Sequence, residues 1–121
     1  MKNPAIDTRW NMNIFLDCIT KASKECFSVL ELGCMFGDKI ALTTCPLKIG
    51  IDAHKPYLDK AIEDFGHQIV FLNEEACSFV ERVLPNTFDA VMMIDFLEHL
   101  TPEDAETLLS RVQSIARKFR S

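Results

Sequence analysis

The sequence predicts an α/β protein, a three-layer α/β/α sandwich with a parallel β-sheet in the middle. Three observations support this fold class. Short apolar runs alternate with amphipathic segments along most of the chain, as they do in repeated β-α units. The strand interiors are continuously apolar, as in Val91, Met92, Met93 and Ile94, which is typical of strands covered on both faces. Strands separated by helices must pair in parallel, through right-handed crossovers.

The first half of the chain supplies a leading helix, two strands and a short helical segment. Residues 9–24 place Met12, Phe15, Leu16 and Ile19 on one face at helical spacing. The apolar run FSVLEL (27–32) is the first predicted strand, and a helix is expected to begin at Gly37 and cover 37–45. The run LKIGID (47–52) is the second predicted strand.

The second half repeats the pattern with clearer helix boundaries. A helix over 55–66 has Pro56 in its first turn and Gly66 at its end. A strand over 68–73 is followed by a helix over 74–84, which Pro85 closes. A fourth strand (88–95) precedes a helix over 101–119 that begins with Thr101 as its N-cap. The predicted sheet is Rossmann-like and truncated after about four strands, with an N-terminal helix (1–26) and one domain (27–121).

Composition excludes several classes of protein. The chain has 121 residues, enough for one domain, and its net charge of −5 speaks against a nucleic-acid-binding surface. No run approaches ~18 apolar residues and the N-terminus lacks an apolar core, so neither a membrane span nor a secretory signal is expected. The five cysteines are odd in number and lack Cys-x-x-Cys spacing, which argues against a disulfide framework or a zinc site. A cytoplasmic protein with reduced thiols is the expectation.

Acidic residues recur where the predicted strands end. Glu31 and Asp52 lie at the ends of the first two strands, Glu75 follows the third, and Asp95 ends the fourth. In an open parallel sheet, ligands bind outside the carboxyl ends of the strands. The sequence therefore predicts a ligand site at this edge, with candidate residues in 31–37, at Asp52, in 73–76 and at Asp95.

The first strand-to-helix turn suits a ligand that approaches the backbone closely. Gly33 and Gly37 supply small residues in this turn. Asp52 lies 21 residues after Glu31 (52 − 31), the distance at which an acid on the second strand reaches a ribose in dinucleotide folds. The glycines do not match G-x-G-x-x-G and no P-loop lysine follows, which speaks against a nicotinamide-binding module.

Four motifs in order resemble class I S-adenosylmethionine-dependent methyltransferases. VLELGCMFG is similar to their glycine-rich first motif, and IGIDAHKPYLDKA is similar to their second. IVFLNEEACSFV lies at the position of the third, and FDAVMMIDFLEHLTPEDAETLLSRVQSIAR resembles the fourth. The resemblance covers roughly residues 27–118.

The resemblance implies S-adenosylmethionine as cofactor and a role for each matching position. Glu31 and Gly33 would line the pocket for the methionine part, Gly37 would let the helix approach, and Asp52 would hold the ribose hydroxyls. The side chain of Glu75 and the backbone of Ala76 would meet the adenine. The implied cofactor site consists of Glu31, Gly33, Cys34, Gly37, Asp52, Ala53, Glu75, Ala76 and Asp95, with Asp95 near the amino group of the methionine part.

The chain departs from the family at Met35, which replaces a glycine of the first motif and cannot take positive φ without strain. In the family that the chain resembles, further strands carry much of the acceptor wall, and this sequence supplies only about four strands, so the acceptor is not predicted. No catalytic residue is predicted either, because methyl transfer needs little beyond an acceptor placed in line with the methyl group. The alternative function is a non-catalytic, truncated fragment that acts as a binding or dimerisation module, with a homodimer formed through the exposed sheet edge. Asp95, Glu98 and His99 form a D-x-x-E-H run, but no metal site is expected because such histidines more often cap or pack.

Overall fold

The computed structural model describes residues 26–94 and 96–117. Four parallel strands form one sheet in the order β3-β2-β1-β4. The strands are β1 (Ser28–Leu32), β2 (Leu47–Asp52), β3 (Val70–Asn73) and β4 (Ala90–Met92). The chain runs outward from β1 to β3 and then returns to the other side of β1, so the switch point in strand order lies beside β1. The predicted parallel α/β sheet is confirmed.

Three α-helices connect these strands or follow them: α1 (Lys55–Phe65), α2 (Ala76–Glu81) and α3 (Pro102–Ile115). The boundary residues of α3 act as predicted, because the hydroxyl of Thr101 accepts a hydrogen bond from the Asp104 amide at 3.1 Å. No helix in the described ranges is long and apolar enough to cross a membrane. The predicted helix 9–24, Cys18 and Asp95 lie outside the described residues.

The segment expected as a helix over 37–45 contains only a 3₁₀ helix, Ile40–Leu42. Thr43 ends it, since its backbone is extended (φ −74°, ψ 158°) and its hydroxyl donates to the Ile40 carbonyl at 2.9 Å. Pro46 disfavours helical backbone at the preceding residue. Too few residues therefore remain between Gly37 and Thr43 for a full α-helix.

The last helix and the last strand are shorter than predicted. α3 ends at Ile115, because Ala116 is extended and pairs in parallel with Phe88. Phe88 donates to the Ile115 carbonyl at 3.1 Å, and the Arg117 amide donates to the Phe88 carbonyl at 2.7 Å. The side-chain carboxylate of Asp89 accepts hydrogen bonds from the backbone amides of Phe27 and Ser28. Asp89 itself lies just before the regular strand, which begins at Ala90. The chain thus begins to pair along the outer edge of the strand that contains Ala90–Met92.

Both faces of the sheet are covered, as the apolar strands predicted. Leu30 and Leu32 of β1 belong to a core cluster with α2 and α3, whereas Val29 belongs to a second cluster with Ile40 and Met92. Each fully buried aliphatic side chain contributes roughly 1.5–3 kcal/mol of transfer free energy. Glu31 pairs in register with Gly50 and Met92, so a carboxyl group lies in the middle of this sheet.

Candidate functional site

A cavity of about 450 Å³ lies at the carboxyl ends of the four strands. The turn after β1 contributes one side, and the ends of β2, β3 and β4 contribute the others. The lining residues are Gly33, Met35, Asp52, Ala53, Tyr57, Glu74, Glu75, Ala76, Phe96, His99 and Leu100. The cavity thus lies at the switch point in strand order, where open parallel sheets bind their ligands.

The turn after β1 has left-handed backbone at three positions. Gly33 has φ +70° and Gly37 has φ +79°, and Met35 between them has φ +49°. A side chain at Gly33 would also collide with its neighbour, because a Cβ atom there would lie 2.4 Å from the ring of Phe96. Met35 therefore keeps the backbone shape that glycine normally supplies, at the strain expected from the sequence.

The carboxylate of Asp52 holds this turn against the end of β2. Its Oδ2 accepts a hydrogen bond from the Met35 amide at 2.9 Å, and its Oδ1 accepts one from the His54 amide at 2.8 Å. The side-chain amide of Asn73 donates to the Asp52 carbonyl at 2.9 Å, which ties β3 to the same point. Because a carboxylate oxygen has two acceptor positions, each oxygen of Asp52 can still accept from a ligand.

Glu31 is buried beneath this turn, with 1% of its surface exposed. Its Oε1 has no hydrogen-bond partner among the described residues. Burial raises the pKa of Glu31 to about 8, although nearby Lys39 and the Ile40 amide act to lower it. The side chain is thus mostly a neutral acid at pH 7, since an unpaired buried carboxylate is costly.

The end of β3 is shaped by the cap of α2. Glu75 is the N-cap, and its carboxylate accepts from the Cys77 amide at 2.6 Å and the Ser78 amide at 3.3 Å. Ala76 is buried at the first helical position, whose amide has no partner within a helix. The thiol pKa of Cys77 is raised by its burial and by Glu75. The Glu75 side chain is therefore occupied by its own helix, while Ala76 beside it lines the cavity.

Aromatic rings surround the end of β2. The ring of Tyr57 lies 4.2 Å from that of His54, edge to face, and 4.9 Å from that of Phe36. Sequence reasoning did not assign Tyr57 to the site. Its position in the first turn of α1, five residues after Asp52, was the available signal, because such a residue faces back toward the strand end.

The β4 side of the cavity consists of Phe96, His99 and Leu100. The imidazole of His99 is 73% exposed, and its Nε2 lies 3.9 Å from Oε1 of Glu98. Asp95, the first residue of the D-x-x-E-H run, lies outside the described residues. Within residues 26–94 and 96–117, no group of three or more His, Cys, Asp and Glu side chains is arranged to hold a metal ion.

The charged side chains in the described lining are acidic. Asp52, Glu74 and Glu75 are present, and neither lysine nor arginine occurs among the lining residues of the described chain. Arg82 pairs with Glu74 at the rim and offsets its charge. The cavity therefore favours a neutral or cationic ligand over a phosphate-bearing one.

No protein-family model matches the sequence, and no curated protein matches it. Solved structures do match. The YcgJ protein from Bacillus subtilis superposes with a TM-score of 0.72 at 18% identity over 88% of this chain and 49% of its own length. A SAM-dependent methyltransferase from Archaeoglobus fulgidus gives 0.67 at 22% identity, over 86% of this chain and 48% of its own length. CalS10, an amino pentose methyltransferase from Micromonospora echinaspora solved with SAM bound, gives 0.69 at 19% identity over 86% and 44%.

The chain has the fold of S-adenosylmethionine-dependent methyltransferases. It spans about half the length of these structures. Within this methyltransferase fold, the predicted site residues that the structure describes, all except Asp95, fall into two groups. Gly33, Asp52, Ala53, Glu75 and Ala76 line the cavity.

The second group of predicted residues, Glu31, Cys34 and Gly37, packs beneath the turn after β1. Cys34 is buried, and its Sγ would lie 2.9 Å from a Cβ placed on Gly50. Burial is the main reason that the pKa of the Cys34 thiol is raised, so the group stays protonated. Gly37 packs against the ring of Phe71, which would be 2.8 Å from a Cβ atom there. These residues and Glu31 position the turn without facing the open cavity.

Proposed function

We propose that this chain binds S-adenosylmethionine in the cavity and is the cofactor-binding half of a methyltransferase, with residues 27–121 as the binding domain. The observation that carries the proposal is the Asp52 carboxylate, which lies at the end of β2 and is hydrogen-bonded across to the turn after β1. The methyltransferase fold of the structural neighbours supports it.

The lining residues fit the parts of this cofactor. The unused acceptor positions of Asp52 suit the two hydroxyl donors of a ribose. The backbone amide of Ala76 and the apolar surface of Ala53, which both line the cavity, suit the edge and face of an adenine. The volume of about 450 Å³ lies within the range of roughly 300–1,000 Å³ that small-molecule sites occupy. Glu75 fits less well than the resemblance implied, because its carboxylate already caps α2.

The charge of the cavity favours this cofactor over a dinucleotide. S-adenosylmethionine carries a sulfonium and an ammonium group, whereas a nicotinamide dinucleotide carries a diphosphate. The described lining offers acidic groups and no lysine or arginine to a ligand. A diphosphate would therefore be repelled, and the nicotinamide interpretation is disfavoured.

The chain would contribute to methyl transfer by binding and orienting the cofactor. When bound, the cofactor supplies an electrophilic methyl group, and the reaction needs an acceptor placed in line with it. Asp52 and the backbone of Gly33 would fix the cofactor, and the rings of Tyr57 and Phe96 would exclude water from it. His99 lies at the exposed rim, on the side where an acceptor could enter. We assign no catalytic residue.

A second candidate function, a non-catalytic binding or dimerisation module, is favoured by the edge of β4. On one side β4 pairs with β1, and on the other the described chain contributes only the Phe88–Ala116 bridge. An open strand edge is a template for pairing with another chain. Such a module would keep the fold without needing the cavity.

Isothermal titration calorimetry and thermal unfolding with S-adenosylmethionine, and separately with NAD, test the proposed function. Ligand at 100 times its dissociation constant should stabilise the fold by about 2.7 kcal/mol, a shift of several degrees. D52N removes the charge that holds the ribose and should weaken binding roughly 10-fold or more. D59N is the matched control, because Asp59 lies on the exposed side of α1, where it pairs with Lys55. No shift at millimolar S-adenosylmethionine, or a shift with NAD alone, would refute the proposal and favour the module.

A further inference from the structure

Two cysteines lie just before β1 and β2, at the opposite end of the sheet from the cavity. Ser28 pairs in register with Leu47, and the Leu47 amide donates to the Phe27 carbonyl at 2.9 Å. Cys26 and Cys45 each come two residues before a member of this pair. Because equal steps along two parallel strands keep residues opposite one another, the two cysteines are neighbours across the strands.

The side chains of both cysteines are buried in the same part of the core. The chain bends at Phe27 and at Pro46, in each case one residue before the strand begins. Cys26 is 8% exposed and Cys45 is 2% exposed, and both belong to the core cluster that contains Met92. Burial raises the pKa of the Cys45 thiol, and the neighbouring Cys26 thiol raises it further. The register, the shared cluster and this electrostatic effect together place the two sulfur atoms close to each other.

We propose that Cys26 and Cys45 form a reversible disulfide, so that the pair is a redox modification site of the chain. A disulfide joins residues whose Cα atoms are usually about 4.4–6.8 Å apart, and neighbouring strands lie about 4.8 Å apart. Cys34, at the other end of β1, has Ala53 at the matching position after β2, so it has no such partner across these strands. The proposal is independent of the ligand that the cavity binds.

The oxidant in this reaction is a small disulfide, such as oxidised glutathione. The Cys26 thiolate, from the less buried of the two residues, attacks one glutathione sulfur, forms a mixed disulfide and releases the first glutathione. The Cys45 thiolate then attacks the Cys26 sulfur, which forms the protein disulfide and releases the second glutathione. Two protein thiols are oxidised, one glutathione disulfide is reduced, and the two cysteine protons pass to the released glutathione thiolates. Because only a small fraction of a buried thiol ionises, we expect the reaction of the folded chain to be slow.

The disulfide closes residues 26–45 into a loop. This loop contains β1, the turn that lines the cavity and the 3₁₀ helix Ile40–Leu42. A cross-link of this kind restricts the unfolded chain, so the oxidised protein should unfold at a temperature several degrees above that of the reduced protein.

Refolding of the full chain from urea in a buffer of oxidised and reduced glutathione tests the proposal, because unfolding gives the oxidant access to both thiols. After the remaining thiols are alkylated, mass spectrometry of the intact chain and of its proteolytic peptides locates any disulfide. We expect a Cys26–Cys45 cross-linked peptide, the loss of two hydrogen atoms from the chain, and full reversal by dithiothreitol. A folded chain that keeps both thiols, carries only bound glutathione, or cross-links a different pair of its five cysteines would overturn the proposal.

Three alanine variants assign the rise in unfolding temperature to this pair. C26A and C45A each remove one of the two sulfur atoms, so oxidation should leave the unfolding temperature of either variant unchanged. Two such variants are used so that one remains informative if the other fails to fold. C77A is the matched control, because Cys77 is half-buried on α2 and should not take part. A rise on oxidation that persists in C26A or C45A, or one that is lost in C77A, contradicts the assignment.

Discussion

The buried carboxyl of Glu31 makes the stability of the free chain depend on pH, and the size of the effect follows from its pKa. The pKa rises from 4.5 to about 8 on folding, chiefly because burial disfavours the charged form. The folded chain therefore binds this proton more tightly than the unfolded chain. The stabilisation is fully present below pH 4.5 and is lost as the pH rises through 8. At about 1.36 kcal/mol for each unit of pKa shift, the change amounts to about 3 kcal/mol by pH 7 and about 5 kcal/mol in full.

E31Q isolates this contribution, because glutamine has nearly the same shape and does not titrate. Urea unfolding of both proteins between pH 4.5 and 8.5 gives the difference in their free energies of unfolding, from which all other titrations cancel. We expect E31Q to gain several kcal/mol relative to the natural chain across this range. E63Q, at an exposed position of α1, should show no such trend. A difference between E31Q and the natural chain that stays constant with pH would refute the reasoning.

Three further tests, each by urea unfolding, probe the turn and a helix cap. Both M35G and M35A remove the side chain, but only glycine relieves the left-handed backbone, so M35G should be more stable than M35A by about 1 kcal/mol; equal stabilities would contradict the strain at φ +49°. G33A should lose at least about 1–2 kcal/mol, since it adds strain at φ +70° and a contact with the ring of Phe96; an unchanged midpoint would mean that the turn adopts another shape. T101A should lose about 1 kcal/mol with its cap, whereas T107A in the same helix should lose less; similar losses would show that the cap contributes little.

The sequence was sufficient to predict the parts of the fold that depend on local pattern. The apolar strands and their alternation with helices predicted a parallel sheet, because strands joined by helices have no other simple way to pair. The position of Asp52 followed from the same reasoning, since the residue that ends a parallel strand lies at the ligand edge. Thr101 and Pro102 marked the start of α3 because capping depends on neighbouring residues only.

The features that the sequence did not predict depend on distant partners. The end of α3 at Ile115 is set by pairing of Ala116 with Phe88, which are far apart in the chain. From the sequence, the Glu75 carboxylate could face either a ligand or its own helix. In the structure, the extended backbone at Glu75 makes it the N-cap, so its carboxylate accepts hydrogen bonds from the helix. That Glu31 lacks a partner could not be predicted either, because an orphaned atom is defined by everything packed around it.

Asp52 explains how the chain tolerates a methionine where the resembling family has glycine. Left-handed backbone at Met35 costs about 1–2 kcal/mol. The hydrogen bond that the Met35 amide donates to the Asp52 carboxylate is of the charged kind, which contributes about 1.5–3 kcal/mol. The two magnitudes are similar, so a single carboxylate at the end of β2 is enough to hold the turn in its strained shape. The proposed ribose-binding residue and the residue that stabilises the turn are therefore the same side chain, so the shape of the cavity depends on Asp52 before any ligand binds.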